Sequence, residues 1–328
     1  MITRRQALAG LAGTAGLAAT GIRPARAADR VRFLTDWYAQ AEHGAFYQAK
    51  ATGIYARHGL DVTVTMGGPQ LNGMQLLAAG EADLATGYPL PTLIAVQRDL
   101  PIIMVATSYQ FDLQGIMAHS DITSLSQLRG HRILLAGASH ATFWPWLRER
   151  YGYTDDQCGQ YMSNLQPFFT DPTLAQQAYL TAEPYVTQQA HVPISFFLLA
   201  KLGYPPYGSS ITTTTGYLAK NPDVVGRFVA ATMEGWKSYL HDPAPGNALI
   251  KIDNPKMTDG LLDFAVKKLR SSGVLTGGDA AKHSIGIMTD ARWKQIRDFG
   301  VRTGLLENKP GWQAAYTLDY VKNLHVVV

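Results

Sequence analysis

Apolar residues along this chain fall into two alternating rhythms. Short apolar runs predict buried strands, and longer stretches with apolar positions three or four apart predict helices that cover them. Residues 31–35 read as a first strand and 45–58 as a helix closed by Gly59. Residues 61–65 read as a second strand, followed by a turn at Gly67-Gly68-Pro69. Residues 73–79 are helical, 82–85 a short buried strand, 90–97 helical and 102–107 another apolar strand. Apolar strands that alternate with amphipathic helices imply a mainly parallel sheet covered on both faces.

The same grammar starts again near Ile116. Residues 124–130 predict a helix capped by Ser124 and stopped by Gly130. Strands are expected at 132–136 and 177–181, with a helix over 142–151 between them. From Pro222 onward the chain is mostly amphipathic helix, clearest over 224–239, 259–271 and 289–300, with Asn221, Thr258 and Thr289 where N-caps or starting turns belong. The economical architecture is α/β with two lobes and a ligand cleft between them. Residues 28–115 and 211–328 would form lobe 1, including the returning C-terminal helices, and 116–210 lobe 2. In such sheets ligands sit outside the carboxyl ends of the strands.

The first 27 residues stand apart. Arg4-Arg5 precedes a stretch without charge from Gln6 to Ile22, and Ala25-Arg26-Ala27 is a small-residue cleavage pattern. The segment resembles a twin-arginine export signal cleaved after Ala27, which implies a periplasmic address. Its removal changes the charge argument. It contains four arginines and no acid, so 25 basic residues remain against 25 acidic ones, net zero. No basic run survives to suggest nucleic-acid binding. Cys158 is the only cysteine, so no intrachain disulfide can form.

The chemistry concentrates at the predicted strand ends. Asp36-Trp37 follows the first strand, where an indole can stack on a flat ring and a carboxylate can accept from its N–H groups. Glu183 ends a lobe 2 strand, flanked by Tyr179 and Tyr185. Tyr88 and Tyr109 follow two further strands and could line the cleft. Ser139, with His140, precedes a helix whose free N–H groups could meet a polar ligand. None of these strand ends carries Arg or Lys, which disfavours an anion such as nitrate or a sulfonate. Gly137-Ala138-Ser139-His140-Ala141 half-matches a serine nucleophile elbow, but no Asp and His partners follow in order. No histidine pattern matches a metal motif, so neither metal nor catalytic residues are expected.

Ordered short motifs carry a family resemblance. They are Leu34-Thr35-Asp36-Trp37 with Glu42-His43, Gly53-Ile54-Tyr55, Gly59-Leu60-Asp61-Val62, Gly80-Glu81-Ala82-Asp83, and the stretch from Gln177 to Tyr185. Later matches include Glu234-Gly235-Trp236, the stretch from Asp253 to Thr258, and Met288-Thr289-Asp290-Ala291-Arg292. The chain resembles the periplasmic substrate-binding proteins of ABC importers, in the branch similar to thiamine-pyrimidine synthases. That resemblance implies the type II periplasmic-binding-protein fold. It also implies a small-molecule ligand, such as an aminopyrimidine or a flavin, a membrane permease as partner, a monomer and no cofactor. It adds His43 as a ligand contact. Fungal synthases of this superfamily consume the matching histidine and carry a cysteine-rich iron motif, which a chain with one cysteine cannot have. An enzyme of this type would instead need Lys50 or another lysine to hold pyridoxal phosphate.

Overall fold

The computed structural model describes residues 27–68 and 71–327. The expected export signal therefore lies outside the described residues, apart from Ala27. Among the described residues, ten strands form two five-stranded sheets. The first contains β1 (Asp29–Leu34), β2 (Leu60–Thr65), β3 (Leu84–Gly87) and β4 (Ile102–Tyr109). The second contains β5 (Gln114–His119), β6 (Ile133–Leu135), β7 (Cys158–Gln160), β8 (Ala175–Tyr179) and β9 (Ile194–Leu198). The chain then returns to the first sheet as β10 (Gly208–Thr214).

The two sheets repeat one plan. Their orders are β2-β1-β3-β10-β4 and β7-β6-β8-β5-β9. In each, the one antiparallel member is the strand that arrives from the other sheet: β10 lies between β3 and β4, and β5 between β8 and β9. The mainly parallel, two-lobed α/β architecture expected from the sequence is the one observed. Residues 110–113 and 199–207 connect the sheets.

Several elements differ from the expected ones for physical reasons. The helix expected over 45–58 is two, Gly44–Ala51 and Ile54–Arg57, because Gly53 takes left-handed backbone (φ 69°) and interrupts the hydrogen-bond ladder. The segment after Ser124 is a short 3-10 turn, Leu125–Leu128, closed by a Ser124/Gln127 capping box. β8 ends two residues earlier than expected, so Glu183 opens the helix Glu183–Gln189 rather than ending a strand. Thr258 and Thr289 cap their helices through side-chain bonds to Leu261 and Arg292 N–H, whereas Asn221 donates to Tyr217 O and caps nothing.

The most instructive miss is β10. Its sequence, GSSITTT, carries almost no apolar signal, yet six of its seven residues are buried. The hydroxyls make this possible: Ser210 bonds Thr107 and Gly208 O, Thr212 bonds Ala85 O, and Thr213 bonds Asp83 O. A buried polar strand is tolerated when its groups find partners.

The C-terminal helices return to the first sheet. Pro222–His241 lies directly on Gly44–Ala51, where a Cβ on Gly235 would stand 2.5 Å from Ala45 O. Beneath it Phe33, Phe46, Tyr55 and Phe228 stack into one aromatic cluster. On the other side, Phe299 of Asp290–Arg302 packs on Trp146 and Tyr204, so one apolar core runs across both lobes there.

Candidate ligand-binding cleft

The first wall of the cleft is built where β1 ends. Thr35 Oγ1 donates to Trp37 O at 2.7 Å and accepts from Gly67 N at 3.0 Å, which turns Asp36 and Trp37 out of the sheet. Gly67 must be glycine here, since a Cβ would meet Thr35 O at 2.1 Å. The 3-10 turn Ala41–His43 then buries Glu42 and His43, at 5 and 3 % exposure. His43 Nε2 lies 3.1 Å from Asp36 Oδ1. A carboxylate only accepts, so in the neutral imidazole this bond places the hydrogen on Nε2 and leaves a lone pair on Nδ1. Tyr88, just before the helix Pro89–Gln97, completes this wall. Burial, with the charges of Asp36 and Asp112, pushes its phenol well above the usual tyrosine range.

The second wall comes from β8 and its neighbours. Glu183 is held at both oxygens: Oε1 accepts from Tyr161 OH at 2.6 Å and Oε2 from Tyr179 N at 2.7 Å. Burial raises its pKa, opposed by these two bonds. Gln177 Oε1 accepts from Ala136 N at 2.6 Å and from Ser139 Oγ at 2.5 Å. One direct bond crosses between the walls, from Thr181 Oγ1 to Glu42 Oε1.

The hinge strands form the floor. Gln114 and Ser209 face the pocket, and Ser209 has left-handed backbone at φ 20°. Asp112, in the β4–β5 connection, is 4 % exposed. Burial and the nearby Asp36 push its carboxyl up to about 7, against the opposing bond from Gln114 N.

Together the lining residues surround a pocket with a cavity volume of about 120 Å³, partly open to solvent. Of the sequence-derived candidates, Asp36, Trp37, His43, Tyr88 and Glu183 line it. Three others do not. Tyr109 is core: it is fully buried, bonds Glu42 O through its hydroxyl and packs on Trp236. Ser139 stands behind Gln177, and its hydroxyl is spent there. Tyr185 points away, its ring 5.5 Å from Phe264 of the helix Asp259–Ser272. Gln40, Glu42, Gln114, Tyr161, Gln177, Tyr179 and Ser209 line the pocket without having been singled out. Glu42 carried a signal as the neighbour of His43. Tyr161 follows β7, a three-residue strand too short to read, and Ser209 lies on the polar strand β10.

Three buried polar atoms of the lining have no protein hydrogen-bond partner: Glu42 Oε2, His43 Nδ1 and Ser209 Oγ. Carboxyl groups and aromatic rings dominate, and none of the described lining residues is Lys or Arg. Lys50 is exposed at the end of its helix, so the pocket does not fit a Schiff base with pyridoxal phosphate. Among the described residues, no group of three or more His, Cys, Asp or Glu is placed to hold a metal ion.

Two sheets of one plan, joined by crossing strands over a polar and aromatic pocket, define a periplasmic-binding-protein fold. The chain belongs to the NMT1/THI5-like family, whose model matches residues 40–245. Its relatives include the formylaminopyrimidine-binding protein of Halalkalibacterium halodurans, 25% identical over 66% of this chain and 68% of that one. Riboflavin-binding protein RibY of Chloroflexus aurantiacus is 24% identical over 84% of this chain and 81% of its own length. A 4-amino-5-hydroxymethyl-2-methylpyrimidine phosphate synthase of Aspergillus parasiticus is 23% identical over 66% of this chain and 68% of its own. Among solved structures, the alkanesulfonate-binding protein SsuA of Xanthomonas axonopodis pv. citri, bound to MOPS, superposes with a TM-score of 0.65. It covers 88% of this chain and 98% of that one, at 13% identity.

Proposed function

We propose that this protein is the periplasmic solute-binding component of an ABC import system, and that it captures a flat nitrogen heterocycle of the pyrimidine or flavin kind. One observation carries this reading: the pocket sets Asp36, Glu42 and Glu183 among Trp37, Tyr88, Tyr161 and Tyr179, with no Lys or Arg in the described lining. Aromatic faces can stack on a planar ring. Carboxyl groups can pair with ring and amino nitrogens, and such bonds are strongest where one partner is charged. An anion would meet three acidic side chains and no guanidinium or ammonium, which weighs against a sulfonate or nitrate. The names of two relatives, a formylaminopyrimidine-binding and a riboflavin-binding protein, support the same ligand class. In this reading the export signal ends at Ala27 and the mature chain is a monomer. Residues 28–115 and 211–328 form lobe 1, and 116–210 form lobe 2. A ligand that touches both walls favours the closed arrangement, which a membrane permease would read.

A thermal melt tests the ligand class. Protein beginning at Ala28, stripped of ligand by unfolding and refolding, is melted with formylaminopyrimidine, riboflavin, taurine or nitrate. A ligand at about 100 times its Kd stabilises the fold by roughly 2.7 kcal/mol, a shift of several degrees for a chain of this size. A shift with a heterocycle alone is expected. A shift with taurine or nitrate alone would overturn the reading.

A further inference from the structure

Glu42 is an unusual member of this cleft. It is 5 % exposed, and among the described residues no Lys or Arg lines the pocket beside it. The charged groups that act on it are His43 and Glu183, and the lining holds one further carboxyl group, Asp36. A carboxylate in such a place would have His43 as its one possible counter-charge and few donors to replace water, and burial of that kind favours the neutral acid. The two oxygens are also unequal. Oε1 accepts from Thr181 Oγ1 of the facing wall, whereas Oε2 is buried with no protein partner. In a neutral acid the carbonyl oxygen accepts and the hydroxyl donates. Oε1 is then the carbonyl and Oε2 carries the hydrogen.

We propose that Glu42 is a neutral carboxylic acid whose Oε2–H donates to a hydrogen-bond acceptor on the bound heterocycle, while Oε1 ties the same side chain to Thr181 across the cleft. This rests on the heterocycle reading for the nature of the ligand, but not for the state of the acid. The bound ring must present a lone pair at this point, a ring nitrogen or a carbonyl oxygen. A ligand offering only N–H groups there leaves the acid's hydrogen unmet. In its neutral form, His43 presents an Nδ1 lone pair that asks the reverse, a donor on the ligand. The first wall therefore selects an edge that carries a donor beside an acceptor, as an amino group next to a ring nitrogen does. One side chain both reads that edge and joins the lobes, so recognition and closure are coupled at a single group. Burial raises the pKa of Glu42, opposed by its bond from Thr181, in agreement with this assignment.

Two measurements on the mature protein test it. In the infrared spectrum near neutral pH, wild type minus Glu42→Gln should show a protonated-carboxyl C=O band lost from the variant. Loss of carboxylate bands instead would overturn the proposal, whatever the ligand. Calorimetry with formylaminopyrimidine and riboflavin supplies the second arm. Glu42→Ala should weaken the probe that binds by about tenfold. Glu42→Gln, which keeps an acceptor for Thr181 and a donor for the ligand, should recover most of that loss, and Thr181→Val should cost about threefold. A Gln variant as weak as the Ala variant would show a carboxylate accepting from the ligand and would overturn the proposal. If neither probe binds the wild type, the heterocycle reading falls, and the infrared arm still decides the state of Glu42.

Discussion

The two walls of the cleft are built from the same sheet plan and finished differently. On the second wall the carboxyl and amide acceptors that line the pocket are already engaged: Glu183 at both oxygens by Tyr161 and Tyr179, and Gln177 Oε1 by Ala136 and Ser139. On the first wall and the adjoining hinge strand, Glu42 Oε2, His43 Nδ1 and Ser209 Oγ are buried without a protein partner. An unmet buried polar group costs roughly 1–3 kcal/mol, so a ligand or an ordered water that satisfies it is favoured there. The second wall is thus a pre-organised surface, and the first is the wall whose polar groups gain most from a ligand.

The largest effect expected from this difference is on pH and stability. Asp112, behind the first wall, has its carboxyl pushed up to about 7 by burial, and burial raises Glu42 and Glu183 as well. A carboxyl whose pKa is higher in the folded state than in the unfolded one favours folding at low pH. That advantage is complete below about 4, the unfolded value, and is lost as pH rises through the folded value. The ligand-free protein should therefore lose stability between about pH 4 and 7, by an amount on the order of a few kcal/mol. Urea unfolding at several pH values measures it. Asp112→Asn, which keeps an acceptor for Gln114 N–H, should flatten much of the slope. A stability that rises over this range would mean that these carboxyls are paired rather than merely buried.

Next in size is the loss of Glu183. Glu183→Ala strands Tyr161 OH and Tyr179 N–H together, so it should damage both the wall and the binding. Affinity should fall tenfold or more, and stability by about 1.5–3 kcal/mol. Glu183→Gln should keep most of the stability, because one oxygen can still accept. Unchanged affinity by calorimetry would mean that the second wall only supports the site and does not touch the ligand.

How much of this was readable in the chain also divides by region. β1 to β4 and the long amphipathic helices announce themselves, because their burial rests on apolar side chains with clear spacing. β10 does not, because its burial rests on serine and threonine hydroxyls that find partners only after folding. β7 is three residues long, so Tyr161, which orients Glu183, had no strand to point to it. At the candidate site, residues beside a strand end in sequence, Asp36 and Trp37, do line the pocket. Those whose role depends on what faces them were misjudged. Tyr185 and Glu183 lie two residues apart, yet one turn of helix sends the first toward Phe264 and the second into the cleft. Tyr109 follows a strand end as Tyr88 does, but its hydroxyl meets Glu42 O and its ring meets Trp236. Sequence position marks the mouth of a sheet, whereas side-chain direction is set by packing across it.

The smallest effect is the one that best separates the walls as stacking surfaces. Trp37 is half-buried on the first wall, edge-on to Tyr38 with ring centroids 5.7 Å apart. It supports little else, so Trp37→Ala should leave stability within about 0.5 kcal/mol of wild type. An aromatic contact contributes about 0.5–1.5 kcal/mol beyond the area it covers, so affinity should fall roughly three- to tenfold, with Trp37→Phe recovering part of it. The matching change on the second wall, Tyr161→Phe, keeps a ring and removes only the hydroxyl bonded to Glu183. If Trp37→Ala is neutral while Tyr161→Ala is costly and Tyr161→Phe is not, the ring lies against the second wall. Stacking and polar recognition would then fall on opposite lobes. If Trp37→Ala is the costly change, both fall on the first wall, and the second serves to close over a ligand already read.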